Sequence, residues 1–142
     1  MTAEAIPPVR IGALTLECDD PRRLAEFYVA ALGGRVTLSR DDSVGIQLDD
    51  GMQMAFHRDP GYRAPTWPSP EVGMQMHLEL LADDPDAAVA QLCALGATRL
   101  DYQPELLTGL TVLLDPAGHP FCVFAPPPAR QAGLSTFRCD GG

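Results

Sequence analysis

Gln75, His77 and Glu79 alternate with Met76, Leu78 and Leu80, so a strand through them turns an amide, an imidazole and a carboxylate to one face. Such a trio can hydrogen-bond a small molecule, move a proton or donate electron pairs to a cation. Cys122 would act as a nucleophile only beside a base that lowers its pKa, and His77 is the neighbour the pattern offers. A buried structural thiol is the simpler reading. His57 ends an apolar segment and either lines a pocket or meets solvent, whereas His119, between Gly118 and Pro120, suits fixing a turn. Tyr62 and Trp67 lie in a proline-rich stretch and either cap apolar surface or hold a planar ligand. There is no glycine-rich phosphate loop, no Ser-His-Asp arrangement readable from spacing and no carboxylate pair with evident catalytic geometry. The four cysteines, Cys18, Cys93, Cys122 and Cys139, lack a Cys-x-x-Cys spacing, which argues against a zinc knuckle or a redox dithiol.

The elements that must position these residues come as a repeat. Asp19-Asp20-Pro21 returns as Asp83-Asp84-Pro85, Leu16 corresponds to Leu80, and Ala31-Leu32-Gly33 returns as Ala94-Leu95-Gly96. Two copies suit a pseudo-symmetric pair around a shared cleft, because a solenoid would need more and shorter units. In the first copy, residues 9–17 alternate as a strand. Asp20 is a suitable N-cap, Pro21 fits the first helical position, and Leu24, Phe27, Tyr28, Ala31 and Leu32 form the stripe of a helix that ends at Gly33-Gly34. Strands are predicted over 35–39, 43–48 and 52–57, with Asp49-Asp50-Gly51 as a hairpin turn. Glu17 corresponds to Leu81 and is expected at a strand end, in solvent.

The second copy repeats the grammar: a strand over 74–81, a helix capped by Asp84 with a stripe at Ala88, Leu92 and Leu95, then strands over 98–102, 110–114 and 121–124. Asp115-Pro116-Ala117-Gly118-His119-Pro120 forms the last tight turn. The expected organisation is one domain over 9–125, made of modules 9–58 and 74–125, with a stiff linker over 59–73. A tail over 126–142 is expected to be partly disordered or docked on a neighbouring chain.

A chain of 142 residues with 46% hydrophobic content can bury a useful core. Its net charge of -9 and the lack of clustered Lys and Arg argue against nucleic acid as a partner. The pair Arg22-Arg23 reads as solvated charge on the first helical turn. No apolar run reaches membrane-spanning length, and residues 1–8 contain no basic segment followed by an apolar stretch, so no membrane partner and a cytoplasmic location are expected.

The duplicated strand-helix-three-strand pattern, with Asp20-Pro21-Arg22-Arg23-Leu24-Ala25-Glu26-Phe27-Tyr28 ahead of Leu32-Gly33, resembles the vicinal oxygen chelate superfamily of glyoxalases and bleomycin-resistance proteins. The resemblance covers about residues 11–125. Asp115 to Phe121, and the linker around Pro65-Thr66-Trp67-Pro68, look like the actinobacterial-type glyoxalase-like group. It implies an α+β fold in which tandem βαβββ modules form a curled mixed-sheet cleft with helices outside, and often a homodimer. Metal-using members place a ligand on the first and last strand of each module, which here are Ala13, Ala55, His77 and Cys122. Alanine donates nothing, so the usual tetrad is expected to be absent. His57 projects to the side of Ala55, which leaves His57, His77, Glu79 and Cys122 as an irregular alternative for a divalent metal.

The residues thus point to a small-molecule-binding protein whose ligand site draws on His57, Tyr62, Trp67, Gln75, His77, Glu79 and Cys122. Its ligand would be an antibiotic or metabolite, and the acidic composition favours a cation. The alternative is a metal-dependent lyase, isomerase or dioxygenase. A third reading, an accessory domain with a filled cleft, sits poorly with the polar face of Gln75, His77 and Glu79.

Overall fold

The computed structural model describes residues 7–104 and 109–127, which form two compact units dividing between Pro60 and Gly61. In the first unit, strand β1 (Leu14–Cys18) leads into helix α1 (Pro21–Leu32), followed by β2 (Gly34–Ser39), β3 (Ser43–Leu48) and β4 (Gln53–Arg58). The sheet runs β1-β4-β3-β2, with β1 parallel to β4 and the other neighbours antiparallel. The second unit repeats this with β5 (Leu78–Leu81), helix α2 (Pro85–Leu95), β6 (Thr98–Arg99), β7 (Thr111–Leu114) and β8 (Pro120–Phe124), in the order β5-β8-β7-β6. The fold is therefore α+β, built of tandem βαβββ modules, each with one four-stranded mixed sheet.

Both helices start as their sequences require. Asp20 accepts the amide of Arg23 at 3.2 Å and Asp84 that of Ala87 at 3.1 Å, with Pro21 and Pro85 occupying positions that need no amide hydrogen. Helix α1 ends at Gly33, and Gly34 follows with φ of 153°, where an added Cβ would run into the Gln47 carbonyl oxygen. Only glycine lets β2 leave the helix so close to β3.

Helix α1 lies against one face of the first sheet. Leu24, Phe27 and Tyr28 are buried, and Tyr28 stacks on Phe56 with centroids 5.5 Å apart. Phe56 shares its face with Met54 on the same strand and with Val44 and Ile46 across the ladder, and all are buried. In the second unit, Leu113, Phe121 and Val123 are buried on the α2 side. Of the stripe expected on α2, Leu92 alone is fully buried, and Leu95 remains exposed.

Several strands are shorter than their alternation predicts. Residues 9–13 are not strand, and Val9 and Ile11 are 89% and 88% exposed. The partner strand sets the limit: β4 starts at Gln53, so the ladder with β1 begins at Leu14 opposite Met54. On the other sheet, β8 starts at Pro120, which has no amide hydrogen, and pairing with β5 begins at Leu78 opposite Phe121. Residues 74–77 are consequently outside the strand. The third segment of the second copy is strand only over Thr98–Arg99. Most of the tail over 126–142, including Cys139, lies outside the described residues. No helix among the described residues is long and apolar enough to cross a membrane.

Candidate functional site

Because paired residues in a ladder point to the same side, the sheet registers identify the face opposite each helix. In the first unit this face carries Thr15 and Glu17 from β1, Ala55 and His57 from β4, and Ser43, Gly45 and Gln47 from β3. Its centre is the row Thr15, Ala55, Gly45, a floor of small side chains. Beside it, His57 Nδ1 lies 2.8 Å from Glu17 Oε2, and the two side chains are 47% and 49% exposed. The Glu17 hydrogen bond, reinforced by its charge, raises the His57 pKa above its ordinary value of 6.5. The repeat places Glu17 at a strand end in solvent, as observed, but does not pair it with His57. The available signal was that Glu17 and His57 occupy corresponding levels of adjacent parallel strands, as Leu81 and Phe124 do in the second unit.

The second unit keeps the register and changes the chemistry. Glu79 pairs with Cys122 and Cys122 with Val112, so these three share the face opposite α2. His77, immediately before β5, sets Nε2 3.3 Å from Glu79 Oε1, with side-chain exposures of 18% and 28%. His77 and Glu79 thus meet side by side, although His77 lies just outside the strand. Gln75 is exposed and precedes the strand. Cys122 is buried with Val112 and Phe124, and Trp67, Leu100 and Leu110 pack against that cluster.

The linker aromatics are anchored within the second unit. The Tyr62 hydroxyl donates to the Ala117 carbonyl at 2.9 Å, and its ring lies 5.3 Å from that of His119. Trp67 meets the ring of Tyr102 nearly edge-on at 5.5 Å while covering the Cys122 cluster. His119 takes the turn-fixing role: its backbone amide and Nδ1 both approach Asp115, whose buried carboxylate also accepts the Ala117 amide. Gly118, at φ of 90°, closes this turn and sits against Ala64 of the linker.

Four positions test whether these residues suit a chelated divalent ion. In the first unit Ala13 and Ala55 present only methyl groups. In the second, His77 is engaged by Glu79 and Cys122 is buried among apolar side chains. Among the described residues, no group of three or more His, Cys, Asp or Glu side chains is gathered so as to hold a metal ion. Two of the four positions that the resemblance assigns to ligands, Ala13 and Ala55, thus offer no lone pair to a metal ion. Of the irregular combination, His77 meets Glu79, His57 meets Glu17, which is outside the combination, and Cys122 is a packed thiol.

Comparison with known proteins gives a family match and similar solved structures. A family model described as a glyoxalase-like domain matches residues 13–124. A possible glyoxalase from Bacillus cereus is similar in structure, with a TM-score of 0.62 and 16% identity, over 83% of this chain and 100% of that one. A fosfomycin resistance protein from Listeria monocytogenes gives a TM-score of 0.62 and 14% identity, covering 85% and 96%. The bleomycin resistance determinant encoded on transposon Tn5 gives 0.55 and 20%, covering 84% and 100%. Comparison with curated proteins gave no match.

Proposed function

Because the chain belongs to the glyoxalase-like domain family, and with it to the vicinal oxygen chelate superfamily, we propose that it binds a small molecule through hydrogen-bonding side chains instead of a chelated ion. One observation carries the reading. Where a chelating relative needs four donors this chain has Ala13, Ala55, His77 and Cys122, and each unit instead has an imidazole held by a carboxylate. A glutamate fixes the orientation of its histidine and enriches its electron density, which makes the pair a directed polar contact for a ligand. Two carboxylates at such pairs, in a chain of net charge -9, favour a ligand carrying positive charge. Two structural neighbours named for antibiotic resistance support the small-molecule class without naming this ligand.

Gln75, His77 and Glu79 are the contacts proposed on the second module, and His57 on the first. Tyr62, Trp67 and Cys122 contribute through packing. A homodimer and a cytoplasmic setting belong to the same proposal. The test is a thermal-shift screen of antibiotics and metabolites, where a compound at a hundred times its Kd should stabilise the protein by about 2.7 kcal/mol. His57→Ala and His77→Ala should each reduce that shift, and loss in both with the same compound would show that the modules serve one ligand. A blank result across broad libraries would favour the accessory-domain reading. Stoichiometric metal in protein purified without chelator, lost in His77→Ala, would replace the proposal with the metal-dependent lyase, isomerase or dioxygenase reading.

A further inference from the structure

A solvent-open cavity of about 380 Å³ lies at the carboxyl ends of β1 and β4, where Arg22, Arg40 and Arg58 come from three different elements. Arg22 stands in the first turn of α1, Arg40 in the β2–β3 turn, and Arg58 at the end of β4. Arg58 alternates with His57 and therefore falls on the α1 side of the sheet, away from the face described above. Asp20, Asp41 and Val44 also line the cavity.

Three guanidinium groups and two carboxylates leave an excess of one positive charge. Among the described residues no ion pair joins any of these arginines to a carboxylate. Arg58 Nε donates to the Asp19 carbonyl at 3.3 Å, which steers that guanidinium. Asp20 uses one carboxylate oxygen, Oδ1, to cap α1 through the amide of Arg23. Of the ten Lys and Arg residues in the whole chain, three line this one cavity. Forked N–H donors match phosphate oxygens two at a time.

Size refines the assignment. A water molecule occupies about 30 Å³ of liquid, so the cavity exceeds a bare phosphate ion and falls at the lower end of small-ligand pockets, about 300–1,000 Å³. The two carboxylates can accept hydroxyl hydrogens. We propose that this cavity binds a small phosphorylated polyol, with Arg22, Arg40 and Arg58 on the phosphate and Asp20 and Asp41 facing its hydroxyl groups.

Calorimetric titration of the full chain with ribose 5-phosphate, ribose and inorganic phosphate tests this. Ribose 5-phosphate should bind at least about tenfold more tightly than either fragment, and Arg40→Ala and Arg58→Ala should each weaken it by about tenfold. Arg35→Ala serves as the control, because that guanidinium bonds Gln47 at 3.1 Å and lies outside the cavity lining; its effect should stay within about twofold. Failure of ribose 5-phosphate to bind, or an equal loss in Arg35→Ala, would overturn the site. Inorganic phosphate binding as tightly as the sugar phosphate would overturn the polyol assignment. All three arginines are exposed, so their loss leaves the core intact, and unchanged thermal unfolding of each variant verifies it.

Discussion

Replacing Trp67 by alanine separates the two roles that the linker aromatics can play. The indole is partly buried, packs on Val112, Cys122 and Phe124, and meets Tyr102 edge-on. Truncating a fully buried tryptophan costs about 3–5 kcal/mol, and the residual exposure of Trp67 places it lower, at about 2–3 kcal/mol. At about 1.4 kcal/mol per tenfold, the folding constant should fall by roughly thirty- to a hundredfold. Urea unfolding at 25 °C, followed by far-ultraviolet circular dichroism, measures this directly. Tyr102→Ala, which removes the exposed partner of the ring pair, should cost only about 0.5–1.5 kcal/mol. A Trp67→Ala protein within about 0.5 kcal/mol of the parent would refute the packing argument, and simultaneous loss of ligand binding would assign the indole to the ligand.

Asp115→Ala leaves the amides of Ala117 and His119 and the His119 ring without their acceptor, and should destabilise by about 3 kcal/mol in the same urea assay. A cost under about 1 kcal/mol would mean the turn does not depend on this carboxylate. For His57, the raised pKa means that stability from the Glu17 contact is complete below the unfolded value near 6.5 and is lost as pH rises through the folded value. Glu17→Gln should move the NMR titration midpoint of His57 downward, and an unchanged midpoint would show that Glu17 is not the cause.

Local chemistry was the legible part of the fold. Asp20, Asp84, Pro21 and Pro85 mark helix starts because capping is a matter of a few adjacent residues. The span 43–48 was readable as a strand, since turn residues bound it on both sides. Residues 9–13 and 74–77 misled for the opposite reason: they alternate like strands, but a ladder extends only as far as its partner, which lies some 40 residues away along the chain. In the candidate site, the shared face of His77 and Glu79 follows from period two alone. The contact of Glu17 with His57 does not, because it depends on the register between two distant strands. Tyr62 and Trp67 were recognisable as aromatics that either cap apolar surface or hold a planar ligand, and their seats, Ala117 and the Cys122 cluster, required the tertiary structure.

Among the described residues, the division between Pro60 and Gly61 severs no strand pairing, since each ladder closes within its own half. Exchanging halves between homologous genes at that junction would therefore transplant whole sheets with their registers intact. The carboxyl-terminal half would carry Tyr62 and Trp67 along with it, so its aromatic fastening travels as part of the inherited cassette.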